Sequence, residues 1–410
     1  MAAPSLALIP SAYKVGKVAS VKPINGKGDF TFTRNSEATR INENGIIETM
    51  GVDVPRIDHT DGGCPSLLLE PASTNLQSYS QVFSGYSGSN KVITDNVTIS
   101  PDGTVTGAIL SDDNSGGVDV VQIFDNVTVD VSSIYTWSIF AKKKDLDFIS
   151  LRLNAFSTPS NANSYFDLNL GTVVSEGNGQ TATIENYGNG WYRCSITFTT
   201  DAVDTSGTLV VRLSDNGTNT IVDLDNTSNI YFWGWQFEKL SYATSYIPTN
   251  GTAVTRAADA CTGAGDVNTF NSEEGGLFVE MAALAEVDGD RYITLSDGHT
   301  DDRIIIYITG VGELKFYISV SGVLQAYKLL SNQTTTASNK LAISYKENEI
   351  RFYLNGDEVH YVSSAITFPA NTLNILNFSS SDGSYSNFYG KVKQVQVFKT
   401  ALTDAELIAL

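Results

Sequence analysis

The sequence has few cysteines, few histidines, little positive charge and no long apolar run. Each shortage closes a class of function. Cys64, Cys194 and Cys261 are scattered through separate segments. An odd number without metal spacing excludes a disulfide framework or a zinc module. It predicts free, mostly buried thiols in a chain made in a reducing cytoplasm. Histidine occurs at 59, 299 and 360 only, away from any nucleophile-elbow pattern. That leaves a Ser or Cys nucleophile without its usual base. P-loop and dinucleotide-binding glycine patterns are missing. The acids cluster in turns, where Asp serves backbone geometry, and no two stand out as a glycosidase couple. The expectation is a protein that is not an enzyme and has no catalytic residues.

Lys and Arg number 26 against 45 Asp and Glu, a net charge of −19. Such a chain repels phosphate backbones and anionic membrane surfaces, so nucleic acid is not an expected partner. No apolar run approaches the roughly 20 residues that span a bilayer, and no membrane insertion is expected. The start, Met1 to Pro10, has no basic cluster, and its apolar run ends at Pro10. This predicts no Sec-type export signal.

What is abundant is turn chemistry and alternation. Glycine (34) is frequent, as are Thr, Ser and Asn, and 41% of residues are hydrophobic with 17% charged. This is the composition of a globular all-β chain of short strands, and 410 residues call for two or three domains. The densest stretch is Asn229 to Glu238. Read with a period of two, Tyr231, Trp233, Trp235 and Phe237 share one face, and Phe232, Gly234, Gln236 and Glu238 the other. Strands of this kind recur at Tyr135–Ala141, Phe148–Leu153, Trp191–Phe198 and Leu209–Leu213, and again from Leu277 onward. Asn355-Gly356 signals a type I′ hairpin. Gly390–Phe398 alternates with one slip between Val392 and Val395, and Thr403 with Glu406 forms a capping box that starts a short helix at Asp404.

These readings divide the chain into four parts. Residues 1–76 form a largely extended N-terminal attachment segment with too few apolar residues for its own core. Residues 77–250 form an antiparallel jelly-roll sandwich, 251–274 a linker, and 275–410 a second β-sandwich. Sugar binding would need exposed aromatic platforms, for which Trp191, Trp235 and Tyr246 are the candidates. Alternation alone does not say whether these rings face outward or fill the core. Calcium is the metal best suited to Asp288-Gly289-Asp290 and Asp223-Leu224-Asp225-Asn226. Neither matches an EF-hand loop, solvated turn acids account for both, and no cofactor is expected.

Two stretches carry family resemblances. Leu341 to Gly356, with Val395 to Leu407, resembles the end of laminin-G/concanavalin-like lectin domains. Tyr135-Thr136-Trp137-Ser138, Gly190 to Cys194, Trp233 to Glu238 and Ser245 to Thr249 resemble carbohydrate-binding-module sandwiches. The whole arrangement, including Ser66 to Leu76, is similar to structural proteins of tailed bacteriophages, especially crAss-like phages and phages of Bacteroidetes-type hosts. The resemblance implies a non-enzymatic head- or tail-fibre appendage, assembled in the host cytoplasm and exposed on the virion. Its partners would be capsid, portal or tail proteins, further copies of itself as a homo-oligomer, and host-surface glycans. A bacterial glycan-binding protein and a polysaccharide depolymerase are the alternatives.

Overall fold

The computed structural model describes residues 2–159, 161–287 and 289–410. With 49% strand and 1% helix, the protein is all-β, and its sheets are antiparallel. The chain forms two compact units. One comprises Met1–Glu37, Met50–Ala72 and Ala257–Leu410, and the other Ala38–Thr49 and Ser73–Arg256.

The second unit is a sandwich of two six-stranded sheets. In one sheet the strands run, in spatial order, Lys91–Thr98, Gly107–Asp112, Asn229–Glu238, Ile134–Lys143, Trp191–Thr199 and Gln180–Asn186. In the other they run Ser87–Ser89, Gln122–Thr128, Ser206–Ser214, Phe148–Asn154, Asn163–Asp167 and Thr172–Ser175. Alternate residues from both sheets, among them Trp137, Ile139, Leu151, Ile196, Val211 and Phe232, fill the core between them. Over the outside of the first sheet lies a smaller cluster of Ile47, Phe140, Trp191, Trp233 and Tyr246. It is roofed by the Ala38–Thr49 hairpin region, whose Thr39 hydroxyl donates to the Tyr246 carbonyl at 2.5 Å.

The aromatic strand departs from simple alternation. Ile230 and Phe232 face the main core, and Trp233 faces the outer cluster. Trp235 and Phe237 then return to the main core. The pairing with Ile134–Lys143 slips between Ser138 and Phe140, and Gly234 sits there at φ +66. One extra residue in a left-handed conformation is a β-bulge, and it reverses the parity of everything after it. Trp233 and Trp235 therefore do not share a face.

The first unit packs an eight-stranded sheet against a five-stranded one. The strand Gly390–Phe398 pairs along one side with Gly275–Ala283. Along its other side it takes both apolar runs of the N-terminal region, Leu6–Leu8 against Val395–Val397 and Leu67–Leu69 against Gly390–Val392. The expected separate segment 1–76 is thus shared between the two units. Residues 2–37 and 50–72 finish the first unit's sheets, where Leu6, Leu8, Leu67 and Leu69 enter its core. They lack apolar mass for a core of their own but have enough to complete another. The expected linker is likewise built in: Val254–Arg256 pairs with Ser73–Asn75, and Ala260–Thr262 with Thr31–Thr33.

Several local readings hold. Asn355 and Gly356 both take positive φ between paired Leu354 and Asp357. The slip between Val392 and Val395 is a register shift opposite Glu280 and Met281, so both valines reach the core. The helix Asp404–Ala409 carries the full capping box of Thr403 and Glu406. Leu402 and Leu407 pack with Phe278, Tyr353 and Phe398 on the outside of the eight-stranded sheet.

Candidate functional site

The three aromatic candidates are buried. Trp191 is 2% exposed, Trp235 0% and Tyr246 4%. The Trp191 indole donates to the Ile99 carbonyl at 3.0 Å, and the Tyr246 hydroxyl pairs with Ser80 Oγ at 2.7 Å. Trp235 stacks on Tyr86 at 5.0 Å, inside the sandwich. A sugar ring needs an open aromatic face, so none of the three is a platform. Their bulk is spent on packing.

The turn acids do not assemble either. Asp225 accepts hydrogen bonds from the backbone and hydroxyl of Thr227, the geometry of an Asx turn. Asp288 lies outside the described residues, while Asp290 accepts from the hydroxyls of Tyr292 and Thr309. Among the described residues no group of three or more His, Cys, Asp or Glu is placed to hold a metal ion.

An open aromatic face does exist, on the five-stranded sheet of the first unit. Its strands are Arg291–Ser296, Arg303–Ile308, Leu314–Val320, Val323–Leu330 and Ile375–Asn377. Ile293, Leu295, Ile304, Ile306, Phe316 and Ile318 point into the core. The alternate positions must then point out, and register arranges them in rows across the sheet. One row is Tyr292, Tyr307, Lys315 and Leu329; in the next, Thr294 and Ile305 are covered, and Tyr317 and Tyr327 stay accessible.

The rings support one another. Tyr292 meets Tyr307 edge to face at 4.7 Å and Tyr385 at 6.5 Å. The Arg303 guanidinium lies over the Tyr317 ring at 5.2 Å, and Lys315 Nζ over Tyr307 at 5.5 Å. Tyr327 is 41% exposed and Tyr385 46%, while Tyr292, Tyr307 and Tyr317 are half-buried. Burial first, then the neighbouring Tyr327 and Asp290, pushes the Tyr307 hydroxyl up to about 12, so it stays a neutral donor at ordinary pH. The face offers flat rings, hydroxyls, an ammonium and a guanidinium side by side. Such a surface stacks on the apolar side of a sugar and hydrogen-bonds its hydroxyls. The sequence carried one signal for it: tyrosines at the non-core positions of successive strands, read only as alternation.

Residues 281–408, which hold this face, match the family described as the concanavalin A-like lectin/glucanases superfamily. No curated protein matches the chain. Among solved structures, the CBM40 of the Ruminococcus gnavus IT-sialidase is similar at 17% identity, over 36% of this chain and 92% of that one, with a TM-score of 0.31. Domain 4 of AbnA, a GH43 extracellular arabinanase from Geobacillus stearothermophilus, is similar at 11% identity, over 41% and 82%, with a TM-score of 0.30. A heptameric SAP-like pentraxin from Limulus polyphemus is similar at 11% identity, over 34% and 69%, with a TM-score of 0.27.

Proposed function

We propose that this protein binds glycans through the tyrosine face of its first unit and does so without hydrolysing them. The observation that carries the reading is the pair of cross-strand contacts, Tyr292 with Tyr307 and Tyr317 with Tyr327, three half-buried rings and one exposed on a sheet whose other face is core. The match of residues 281–408 to a lectin and glucanase superfamily supports it.

The family-like text of the chain supports placing this binding protein on a phage particle, as a fibre or appendage that touches host-surface glycans. A bacterial glycan-binding protein would use the same face. Mass spectrometry of purified particles separates the two.

The test is a glycan array with the full chain, followed by calorimetry on the best glycan. Tyr317→Ala and Tyr327→Ala should each weaken binding by about tenfold or more, the scale of an aromatic anchor. Unchanged affinity in both variants overturns the reading, as does release of reducing sugar by the purified chain.

A further inference from the structure

We propose that the outer face of the second sheet in the second unit binds a carboxylate-bearing sugar through Arg152 and Arg212. This site is independent of the tyrosine face, and neither reading rests on the other.

Neither arginine has an acidic partner among the described residues. The chain carries 45 acids, and Arg34, Arg40, Arg56 and Arg351 pair with some of them, while Arg193 and Arg303 lie over the rings of Phe140 and Tyr317. Arg34 and Arg56 pair with Asp259, Arg40 with Glu48, and Arg351 with Glu349, Glu358 and Asp404. Arg212 Nε donates to Gln122 Oε1 at 2.8 Å, and Arg152 Nη1 to the Asn161 carbonyl at 3.0 Å. Arg152 Nε is buried with no partner. Most of ten guanidinium donors are therefore unspent.

Register places the two side by side. Ser150 pairs with Arg212, and Arg152 with Val210, so the arginines are diagonal neighbours on adjacent strands. Such positions lie about 7–8 Å apart, within reach of long side chains. Core residues Ile149, Leu151, Leu153, Leu209, Val211 and Leu213 alternate with them, which sends both arginines to the outer face. Between Arg212 and the next strand sits Ser150, fully buried and small, and Tyr165 stands opposite it. Ser150 and Tyr165 are both buried, so they form a closed floor beside which the half-buried Arg152 and Arg212 reach the surface. Phe124 and Asn163 continue the face across the row of Val210 and Arg152.

Two guanidinium groups this close repel. Burial and then the charge of Arg152 lower the Arg212 pKa from its ordinary value. An anion between them relieves that repulsion and satisfies the free donors, and a planar fork fits a carboxylate with two parallel hydrogen bonds. The flanking rings and amides suit a sugar that carries the charge. A polyanion is disfavoured, because the chain's net −19 opposes each further negative group.

The test uses the full chain and matched ligands: lactose against 3′-sialyllactose, and galactose against galacturonic acid, with inorganic sulfate as competitor. Binding of at least one carboxylated member, at least tenfold tighter than its neutral match and weakened by added salt, is expected. Arg152→Gln and Arg212→Gln should each lose that preference. Arg212→Lys, which keeps charge but not the fork, should recover less than half of it. Tyr327→Ala should leave it intact. The Gln variants should melt no lower than the parent, because they remove a like-charge contact, and this separates lost recognition from lost folding. No carboxylate preference in either pair overturns the proposal. So does full retention of that preference in both Gln variants, or displacement by sulfate at equal concentration.

Discussion

Trp233 and Trp235 stand two residues apart on one strand yet face opposite layers of the second unit. Trp233 packs against Tyr246 at 4.4 Å in the outer cluster, and Trp235 against Trp137 at 5.2 Å in the main core. Gly234 makes this arrangement. A Cβ on it would come within 2.6 Å of the Phe140 ring, at a φ of +66. Gly234→Ala should therefore cost about 2–4 kcal/mol, combining left-handed strain with overpacking. Gly45→Ala, also at positive φ but with nothing within 4 Å, should cost only about 1 kcal/mol. Urea unfolding of the two variants checks the difference.

Arg56 holds the buried charges of the first unit together. Its two terminal nitrogens reach Glu70 and Asp259, and Arg34 meets Asp259 at 3.2 Å. Burial pulls the Arg56 pKa down, but the two carboxylates outweigh it and raise the value overall. Arg56→Met should destabilise by about 3–5 kcal/mol, because it strands carboxylates that water cannot reach. Chemical denaturation followed by intrinsic fluorescence measures it.

Acid should loosen the first unit at two points. The Lys27 ammonium, then the Thr269 hydroxyl, hold Asp266 at about 2 instead of its ordinary 3.8. Burial alone would raise Glu286, but donors from Thr335, Gly312 and Thr336 bring it below its usual value. Both folded values lie below the unfolded ones. Their stabilisation is thus complete only above the ordinary values of 4.5 for Glu286 and 3.8 for Asp266, and for Asp266 it is lost as pH falls toward 2. Melting temperatures from pH 6 down to pH 2.5 should drop less steeply in Asp266→Asn, and less steeply again in its combination with Glu286→Gln.

The thiols should divide one against two. Cys64 is exposed, while Cys194 and Cys261 are buried, and burial pushes both buried thiols up. A thiol reagent at pH 8 should label one cysteine per chain quickly, and the other two only on unfolding. Fast labelling of more than one in the native protein would contradict the burial.

Much of the local structure was legible because its causes are local. Alternation named the strands, Asn355-Gly356 named its hairpin through two positive φ angles, and Thr403 with Glu406 named the helix start. The candidate sites were harder. Tyr292, Tyr307, Tyr317 and Tyr327 look unremarkable until pairing lines them up, and Arg152 and Arg212 are 60 positions apart, brought together by the register of two strands.

By itself the sequence determined that this chain is all-β, antiparallel and built from sandwiches, because a period of two and a supply of turn residues leave no other economical way to bury its apolar side chains. Only the tertiary structure decided which face of each strand is covered. A single residue at Gly234 inverts parity, and Leu6–Leu8 finds its partner at Val395–Val397, nearly a full chain length away. Pairing over such distances is chosen by the whole core at once, so the same pattern that buries Trp235 leaves Tyr327 open to a ligand.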